Sequence, residues 1–304
     1  MTDSIDLEVP ASIGNVGPGF DTLSIAVQLY LRLRARLSTR GSLAFDFGDR
    51  PVDGENFIER AFRTLAARDG APIPSLEVEV QSDIPMRAGL GSSAAATVAG
   101  LRLYERVTGP RPIEELLAVA TELEGHPDNA AAALLGGLVG SCAREDGRVT
   151  ALASRWPAAI RFVIVTPEAK LSTADARKVL PARLDMPDAV FNLQRVALML
   201  QALETGRHDL LREALRDRWH QPYRQPLVPG LDVALALDHP ALLGLCLSGS
   251  GPSVVALAEQ VEPIERLLAS VYEAGGIPCT IRTLAVHQTA SVPEPGAQRL
   301  EPNP

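Results

Sequence analysis

Apolar residues recur along the chain with two periods, and the shorter period predicts strands. Residues Ser24–Leu37 (SIAVQLYLRLRARL) alternate apolar and polar positions in their second half, which is typical of a strand with one buried face. The run Ile160–Thr166 (IRFVIVT) is the strongest strand signal in the sequence. The same reasoning predicts further strands over residues 44–47, 76–80, 138–143, 243–247, 253–257 and 280–286.

The longer period, in which apolar residues return every three to four positions, predicts helices. The predicted helices cover residues 57–68, 93–106, 113–124, 128–135, 188–205, 209–219 and 261–274. Gly70 follows the first of them as a stop signal, and Thr108-Gly109-Pro110 closes the second. Strands and helices do not alternate regularly, so we expect an α+β fold rather than a doubly wound sheet.

The domain organisation follows from the same pattern. The chain turns at Asp146-Gly147, and we place a boundary near this turn, between a domain of residues 1–152 and a domain of residues 153–304. From Ser291 onward the chain carries four prolines and no period, so we expect this tail to be frayed.

Composition excludes several classes of protein. Hydrophobic residues make up 46% of the 304 residues and charged residues 22%, as in ordinary folded proteins. A formal charge of −8 disfavours nucleic acid or an anionic membrane as the main partner. Three distant cysteines form no disulfide or metal-binding pattern, and the N-terminus lacks a signal peptide pattern. The most apolar run, residues 130–140, is too short to cross a bilayer, so we expect a cytoplasmic protein.

A glycine-rich turn stands directly before the second predicted helix, in the stretch Met86–Ala96 (MRAGLGSSAAA). Backbone N–H groups of such a turn, together with the helix N-terminus, form an anion-binding site, and serine hydroxyls can bind phosphate or Mg²⁺. The alternative is a tight turn before a helix that packs through small residues. A Walker A loop is excluded because neither Lys170 nor Lys178 lies in a glycine turn. The dinucleotide fingerprint is absent as well.

Two further glycine-rich turns change this picture. Pro10–Asp21 reads PASIGNVGPGFD, and Leu247–Ser253 reads LSGSGPS. These two motifs, with Met86–Ala96 between them, resemble in order the three motifs of the GHMP kinases, which phosphorylate small molecules with ATP. The resemblance covers about residues 8–285. It implies an N-terminal domain like the second domain of ribosomal protein S5 and a C-terminal ferredoxin-like domain.

The resemblance also implies a nucleotide site. The triphosphate of ATP would lie over Gly89–Ser93, and Ser93 would help to hold Mg²⁺. Asn56 resembles the asparagine that contacts adenine in this family, although it can equally be the N-cap of the helix that begins at Phe57. The implied nucleotide-binding residues are Asn56, Arg87, Ala88, Gly89, Leu90, Gly91, Ser92 and Ser93.

The segment 122–129 (ELEGHPDN) concentrates ionisable side chains. From the residues alone, Asp128 or Glu124 could be a general base with His126 as its partner, or the segment could simply be a charged helix end. The segment resembles the homoserine kinase branch of the family. This implies that Glu122 completes the Mg²⁺ site, with Glu124 as the alternative register.

Asn129 distinguishes branches of the family. It occupies the position of a catalytic aspartate in mevalonate- and galactose-type enzymes, and an amide cannot accept the proton of the substrate. The resemblance therefore implies catalysis by positioning, with Asn15, Ser93, Glu122 and Asn129 as the catalytic set.

An amino-acid substrate needs groups that hold its two charges. Arginine binds carboxylates best, and Arg177 and Arg224 stand in segments that resemble the family's. By resemblance, Asp21 would contact the ammonium group and Asn15 the accepting hydroxyl. His126, Gly249 and Ser250 complete the implied substrate site.

The resemblance, with these residues, implies an ATP-dependent kinase of L-homoserine in threonine biosynthesis. The alternatives are a GHMP kinase for another small amino acid or hydroxylated metabolite, and a non-catalytic sensor of ATP and a metabolite. The negative net charge argues against a nucleic-acid or membrane partner, and homodimers are common in the family.

Overall fold

The computed structural model describes residues 4–39, 41–49, 54–169 and 171–289. Their strands are β1 (Ser4–Gly14), β2 (Leu23–Leu37), β3 (Leu43–Asp46), β4 (Leu76–Ser82), β5 (Leu138–Ala143), β6 (Val149–Ser154), β7 (Arg161–Pro167), β8 (Gly244–Leu247), β9 (Val254–Ala258) and β10 (Cys279–Leu284). These strands form two sheets, one of six strands in the order β3-β4-β2-β5-β6 with β1 paired to β2, and one of four strands in the order β10-β7-β9-β8.

The α-helices lie mostly where the helical period predicts them. They are α1 (Phe57–Asp69), α2 (Ser92–Thr108), α3 (Ile113–Glu124), α4 (Asp128–Leu135), α5 (Thr173–Lys178), α6 (Met186–Glu204), α7 (Leu211–Ala214), α8 (Gln221–Arg224), α9 (Leu231–Leu235) and α10 (Val261–Ala274). None of these helices is both long enough and apolar enough to cross a membrane. The mixture of helices with largely antiparallel sheets confirms the α+β prediction.

Some predicted elements differ from the structure. The predicted helix 209–219 is wrong, because a 3₁₀ turn at His208–Leu210 and the short α7 occupy its first half and no helix its second. The predicted domain boundary after residue 152 falls inside β6, whose pairing with β5 continues to Ser154, and the division into two domains stays a prediction. The predicted frayed tail from Ser291 lies outside the described residues.

Helix α2 belongs to the larger hydrophobic core. This helix packs against α1, α4 and β1, and its residues Ala94, Ala95, Val98 and Ala99 are almost completely buried. Alanine and glycine let the elements approach closely. A Cβ on Gly100 would lie 2.1 Å from the carbonyl oxygen of Ile58. The small-residue run therefore serves packing along its length, while its first turn faces a cleft.

Candidate active site

The three glycine-rich turns meet at this cleft and are joined by backbone hydrogen bonds. The N–H of Ser12 donates to the carbonyl oxygen of Leu90 at 3.1 Å, which links the first turn to the second. The N–H of Gly249 donates to the carbonyl oxygen of Gly14 at 3.0 Å, which links the third turn to the first. Segments as far as 235 residues apart in sequence therefore build one backbone framework.

Gly89 shows why the second turn needs glycine. Its φ of 75° lies in the left-handed region, and a Cβ there would lie 2.3 Å from the carbonyl oxygen of Ser248. The hydroxyl of Ser248 in turn donates to the carbonyl oxygen of Gly89 at 2.7 Å. The second and third turns thus touch backbone to backbone, with no room for a side chain between them.

We expect Gly89→Ala to destabilise the protein by about 3 kcal/mol or more, because a positive φ and a backbone clash act together. Gly147→Ala is the matched control: its φ is 80°, but nothing lies within 4 Å of the new Cβ. The control should lose only about 1–2 kcal/mol, the cost of the left-handed conformation. Urea unfolding of both variants measures the difference, and equal losses would show that the close contact at Gly89 is unimportant.

The first turn of α2 offers free hydrogen-bond donors to the cleft. Gly91 precedes the helix with a φ of 68°, no side chain caps the helix start, and its first turn contains no acidic residue. The first backbone N–H groups of a helix have no partner within the helix, and the helix dipole makes this end positive. Ser92, Ser93 and Ala94 line the cleft at this point. The site can therefore bind an anion such as a phosphate.

The cleft gathers most of the predicted site residues. Its lining includes the predicted residues Asn15, Asp21, Arg87, Gly89, Gly91, Ser92, Ser93, His126, Asn129, Arg177, Arg224, Gly249 and Ser250. Ala88 and Leu90, also predicted, are buried beneath the loop. Asn56 lies outside the lining, and its side-chain oxygen accepts from the N–H groups of Ile58 and Glu59 as the N-cap of α1. Its contact with adenine stays a prediction.

The structure corrects the prediction of which glutamate lies beside Ser93. Ser93 Oγ donates to Glu124 Oε1 at 2.9 Å, and Thr97 Oγ1 donates to the same oxygen at 2.6 Å. Glu122 instead points to solvent, with 64% of its side chain exposed, and pairs with Arg68 on α1. The placement of Glu122 beside Ser93 is therefore wrong, and the alternative residue Glu124 occupies that position.

His126, Asp128 and Asn129 form a hydrogen-bonded cluster at the start of α4. His126 Nδ1 lies 2.6 Å from Asp128 Oδ1, and Asn129 Nδ2 donates to the same oxygen at 3.3 Å. Burial alone would lower the pKa of His126, but the hydrogen bond and charge of Asp128, with the charge of Asp21, raise it above its ordinary value. Asn129 also accepts from Ser12 Oγ at 2.9 Å, so its amide orientation is fixed from two sides.

Asp21 and Arg177 pair with each other across the cleft. Both nitrogens at the end of the Arg177 guanidinium donate to the Asp21 carboxylate, at 3.0 and 2.7 Å. The side chains are 31% and 37% exposed, so solvent and a small molecule can reach the pair. The sequence predicted that Asp21 contacts the ammonium group of a ligand and Arg177 its carboxylate. In the structure, the two side chains neutralise each other.

Arg224 lies at the floor of the cleft and is only 2% exposed. Its Nε donates to the carbonyl oxygen of Ala176 at 3.1 Å, and its Nη1 donates to that of Gly249 at 2.9 Å. Burial, followed by the charge of Arg177, lowers its pKa to about 10, so the guanidinium is still charged at neutral pH. Asn15 Nδ2 donates to the same Gly249 carbonyl at 3.0 Å.

The backbone is strained in the turns that carry these residues. Among the described residues, the non-glycine positions with positive φ are Asn15, Val16, Asp21 and Arg87, and all lie in the first two turns. Such conformations cost about 1–3 kcal/mol each and persist where surrounding contacts hold them in place. Their concentration at the cleft is typical of a functional site.

Three cleft residues were not assigned by sequence reasoning to ligand binding, and the first of them, Ala94, belongs to the first turn of α2. Asp128 was considered only as a base or a helix cap, and it is 1% exposed beneath His126. Thr173 begins α5, and its Oγ1 lies 3.4 Å from Ser250 Oγ at the rim of the cleft. Thr173 lies in the segment around Arg177 that resembles the family's, but no helix was predicted at 173–178 and Thr173 itself was given no role.

Comparison with known proteins identifies the family. The model of the GHMP kinases N terminal domain matches residues 56–137, and the model of the GHMP kinases C terminal domain matches residues 199–276. The homoserine kinase of Moorella thermoacetica is 41% identical over 285 residues, which cover 92% of this chain and 96% of that protein. The homoserine kinase of Solibacter usitatus is 40% identical and covers 89% of this chain and 90% of its own length.

Solved structures agree with this result. The crystal structure of homoserine kinase from Cytophaga hutchinsonii matches with a TM-score of 0.82 at 29% identity, covering 95% of this chain and 96% of that one. A mevalonate kinase crystal structure matches with a TM-score of 0.70 at 16% identity over 93% of this chain, which supports the fold alone. The GHMP kinase fold expected from the three motifs is confirmed.

Proposed function

Since this chain belongs to the homoserine kinase family of GHMP kinases, we propose that it transfers the γ-phosphoryl group of ATP to L-homoserine. The product is O-phospho-L-homoserine, an intermediate of threonine biosynthesis. One observation carries the proposal: a single cleft joins a helix N-terminus that is free to bind phosphate to a set of charged groups that suits an amino acid. We place the reaction in the cytoplasm.

The charged groups match the two charges of a free amino acid. The carboxylate binds Arg177 and Arg224, and the ammonium group binds Asp21, so the ligand takes the place of the Asp21–Arg177 pair. The pair of Asp21 with Arg177 is exchanged for two pairs with the ligand, one at its carboxylate and one at its ammonium group. No charge in the cleft is then left without a partner, which avoids the cost of isolated charges in a half-buried site. A neutral alcohol cannot make this exchange.

The phosphate end of the cleft is built by backbone groups. The triphosphate lies over Gly89–Ser93, where the N–H groups of the turn and of the first turn of α2 donate to its oxygens. Arg87 lines the same part of the cleft and adds a positive charge. Asn56 lies beyond the cleft lining, and we keep it as the candidate contact of the adenine.

The residues beside this loop fit Mg²⁺. Glu124 and Ser93 offer a carboxylate and a hydroxyl, the hard oxygen ligands that Mg²⁺ prefers, and two hydrogen bonds to Oε1 hold the Glu124 carboxylate in place. When bound with ATP, magnesium neutralises charge on the phosphate oxygens. Glu124 replaces Glu122 in the proposed catalytic set.

The transfer itself needs positioning more than proton removal. The homoserine hydroxyl oxygen forms a bond to the γ-phosphorus, the bond between that phosphorus and the bridging oxygen breaks, and ADP leaves. Asn15 and Asn129 orient the hydroxyl, and its proton passes to the phosphoryl group or to water because an amide cannot accept it. Asp128 Oδ1 is hydrogen-bonded to both His126 and Asn129, which supports a role of Asp128 in orienting these two side chains.

The test is ADP release with Mg-ATP and one acceptor at a time: L-homoserine, L-threonine, L-serine, mevalonate, galactose or none. We expect rapid turnover with L-homoserine, abolished by EDTA and restored by excess Mg²⁺. Rapid turnover on a different acceptor would replace the substrate assignment. Tight binding of ATP without turnover on any acceptor would favour a sensor over an enzyme.

A further inference from the structure

We propose that His220 is a positioning residue, which orients Arg224 toward the substrate carboxylate and ties it to the loop that carries Asn15 and Asp21. The inference rests on the proposed function, because it assigns His220 a role in binding the amino acid. His220 does not line the part of the cleft that binds ATP or the part that binds the amino acid. It lies behind Arg224 and is completely buried.

His220 is held between two parts of the active site. Its Nε2 lies 2.8 Å from the carbonyl oxygen of Gly17, in the strained turn between Asn15 and Asp21. Its Nδ1 lies 3.2 Å from Arg224 Nη1. A carbonyl oxygen can only accept a hydrogen bond, so Nε2 carries the proton and donates to Gly17. A guanidinium can only donate, so Nδ1 accepts from Arg224. The imidazole therefore connects the two elements as a neutral bridge.

The bridge determines which nitrogen of Arg224 is left for a ligand. Nη1 has two hydrogens, one for His220 Nδ1 and one for the carbonyl oxygen of Gly249, and Nε uses its hydrogen on Ala176. Among the described residues, no protein partner is recorded for Nη2, and Arg224 lines the cleft. Without the bond to Nδ1, Nη1 has a free hydrogen, and the guanidinium can rotate or shift away from the carboxylate.

The surroundings keep the imidazole fixed and neutral. The carboxylate of Asp217 accepts from the N–H groups of His220 and Gln221, which anchors the start of α8, and the Gln221 side chain accepts from Leu247 in β8. Burial, reinforced by the positive charge of Arg224, lowers the pKa of His220 despite the opposing charge of Asp217. The ring of Phe20 lies 5.5 Å from the imidazole and 5.3 Å from the Arg224 guanidinium carbon, which packs the pair from the side.

Two amide variants separate the two hydrogen bonds of His220. Asparagine can place an acceptor near the position of Nδ1, whereas glutamine can place a donor near the position of Nε2. We expect His220→Gln to raise the KM for L-homoserine about tenfold or more, because the acceptor for the guanidinium is lost. The KM for ATP should change less than about twofold, since the phosphate loop is not in contact with His220. His220→Asn should remain closer to the wild type for L-homoserine.

The acceptor 3-aminopropan-1-ol, which is L-homoserine without its carboxylate, gives a second readout. The ratio of kcat/KM for L-homoserine to that for 3-aminopropan-1-ol should fall in His220→Gln by the same factor as the rise in KM. His208→Gln is the matched control, because His208 pairs with Glu259 outside the cleft. A purely structural role would lower kcat by the same factor for both acceptors and in both His220 variants, and would leave KM unchanged. That result would overturn the proposal.

The wild-type protein provides a test that does not depend on the folding of a variant. Histidine ¹⁵N NMR at neutral pH should show His220 with a proton on Nε2 and none on Nδ1, and a proton on Nδ1 would overturn the proposal. Failure of the wild type on L-homoserine would overturn the proposed function and this inference with it. Normal wild-type turnover with indistinguishable Gln and Asn variants would overturn the inference alone.

Discussion

Replacing Glu124 with glutamine is expected to lower kcat on L-homoserine about a hundredfold or more, because a charged metal ligand is worth several kcal/mol in the transition state. Glutamine retains a side-chain oxygen that can accept from Ser93 and Thr97, so the packing at the end of α3 should be preserved. What is lost is the negative charge facing the cleft. The concentration of Mg²⁺ that gives half-maximal rate should rise about tenfold at the same time.

The control for this prediction lies two residues away. Glu122→Gln removes only the exposed pair with Arg68, and exposed pairs contribute about 0–1 kcal/mol to stability. Its kcat and its Mg²⁺ dependence should stay within about twofold of the wild type. Steady-state kinetics at varied Mg²⁺, with melting temperatures of both variants, measure the contrast. A large loss of kcat in Glu122→Gln, with little change of kcat in Glu124→Gln, would contradict the proposed placement of the metal site.

The register of this carboxylate could have been predicted from the sequence. The buried positions Leu117 and Ala120 of α3 precede Glu124 by seven and four residues, so all three share one helix face. Glu122 lies on the opposite side, where α3 is exposed. Spacing from Gly125 alone pointed to Glu122, whereas the helical period points to Glu124, the residue that contacts Ser93.

The wrong prediction of a helix over 209–219 has a local cause. Leu210, Leu211, Ala214 and Leu215 recur at helical spacing, but the side chain of Asp217 accepts from the N–H groups of residues 219–221 and replaces the helical hydrogen bonds there. The chain turns at this point and places His220 behind the cleft. An aspartate within an apolar period can bend the chain in this way or stay in a helix, and the sequence alone does not distinguish the two.

The contacts between the glycine turns could not be predicted from the sequence. The motifs indicate three turns and their family, yet nothing in them specifies that Gly249 donates to Gly14 or that Ser248 donates to Gly89. These contacts depend on long-range packing of the chain, and so does the pairing of Asp21 with a residue 156 positions away. Local patterns predicted the parts of the site, and long-range packing decides their partners.

Replacing Arg177 with methionine is expected to raise the KM for L-homoserine about 30-fold, because a charged hydrogen bond to a carboxylate is worth about 1.5–3 kcal/mol. The KM for ATP should change less than about twofold. The fold should tolerate the change, since the side chain is 37% exposed and its partner Asp21 also reaches solvent. Lys178→Met is the matched control, because it removes the adjacent positive charge from an exposed pair with Asp175.

The pairing of Asp21 with Arg177 makes the prediction sharper, because loss of the arginine also leaves the aspartate without its partner. The amine of 3-aminopropan-1-ol can then bind Asp21 without displacing a guanidinium, so its KM should stay constant or fall while that for L-homoserine rises. Because release of Asp21 helps the amine of both acceptors equally, the preference for the amino acid should decrease by about the contribution of the carboxylate contact with Arg177. Equal increases in both KM values would mean that Arg177 shapes the cleft rather than binds the carboxylate, and unchanged values for both acceptors would leave Arg224 as the carboxylate site.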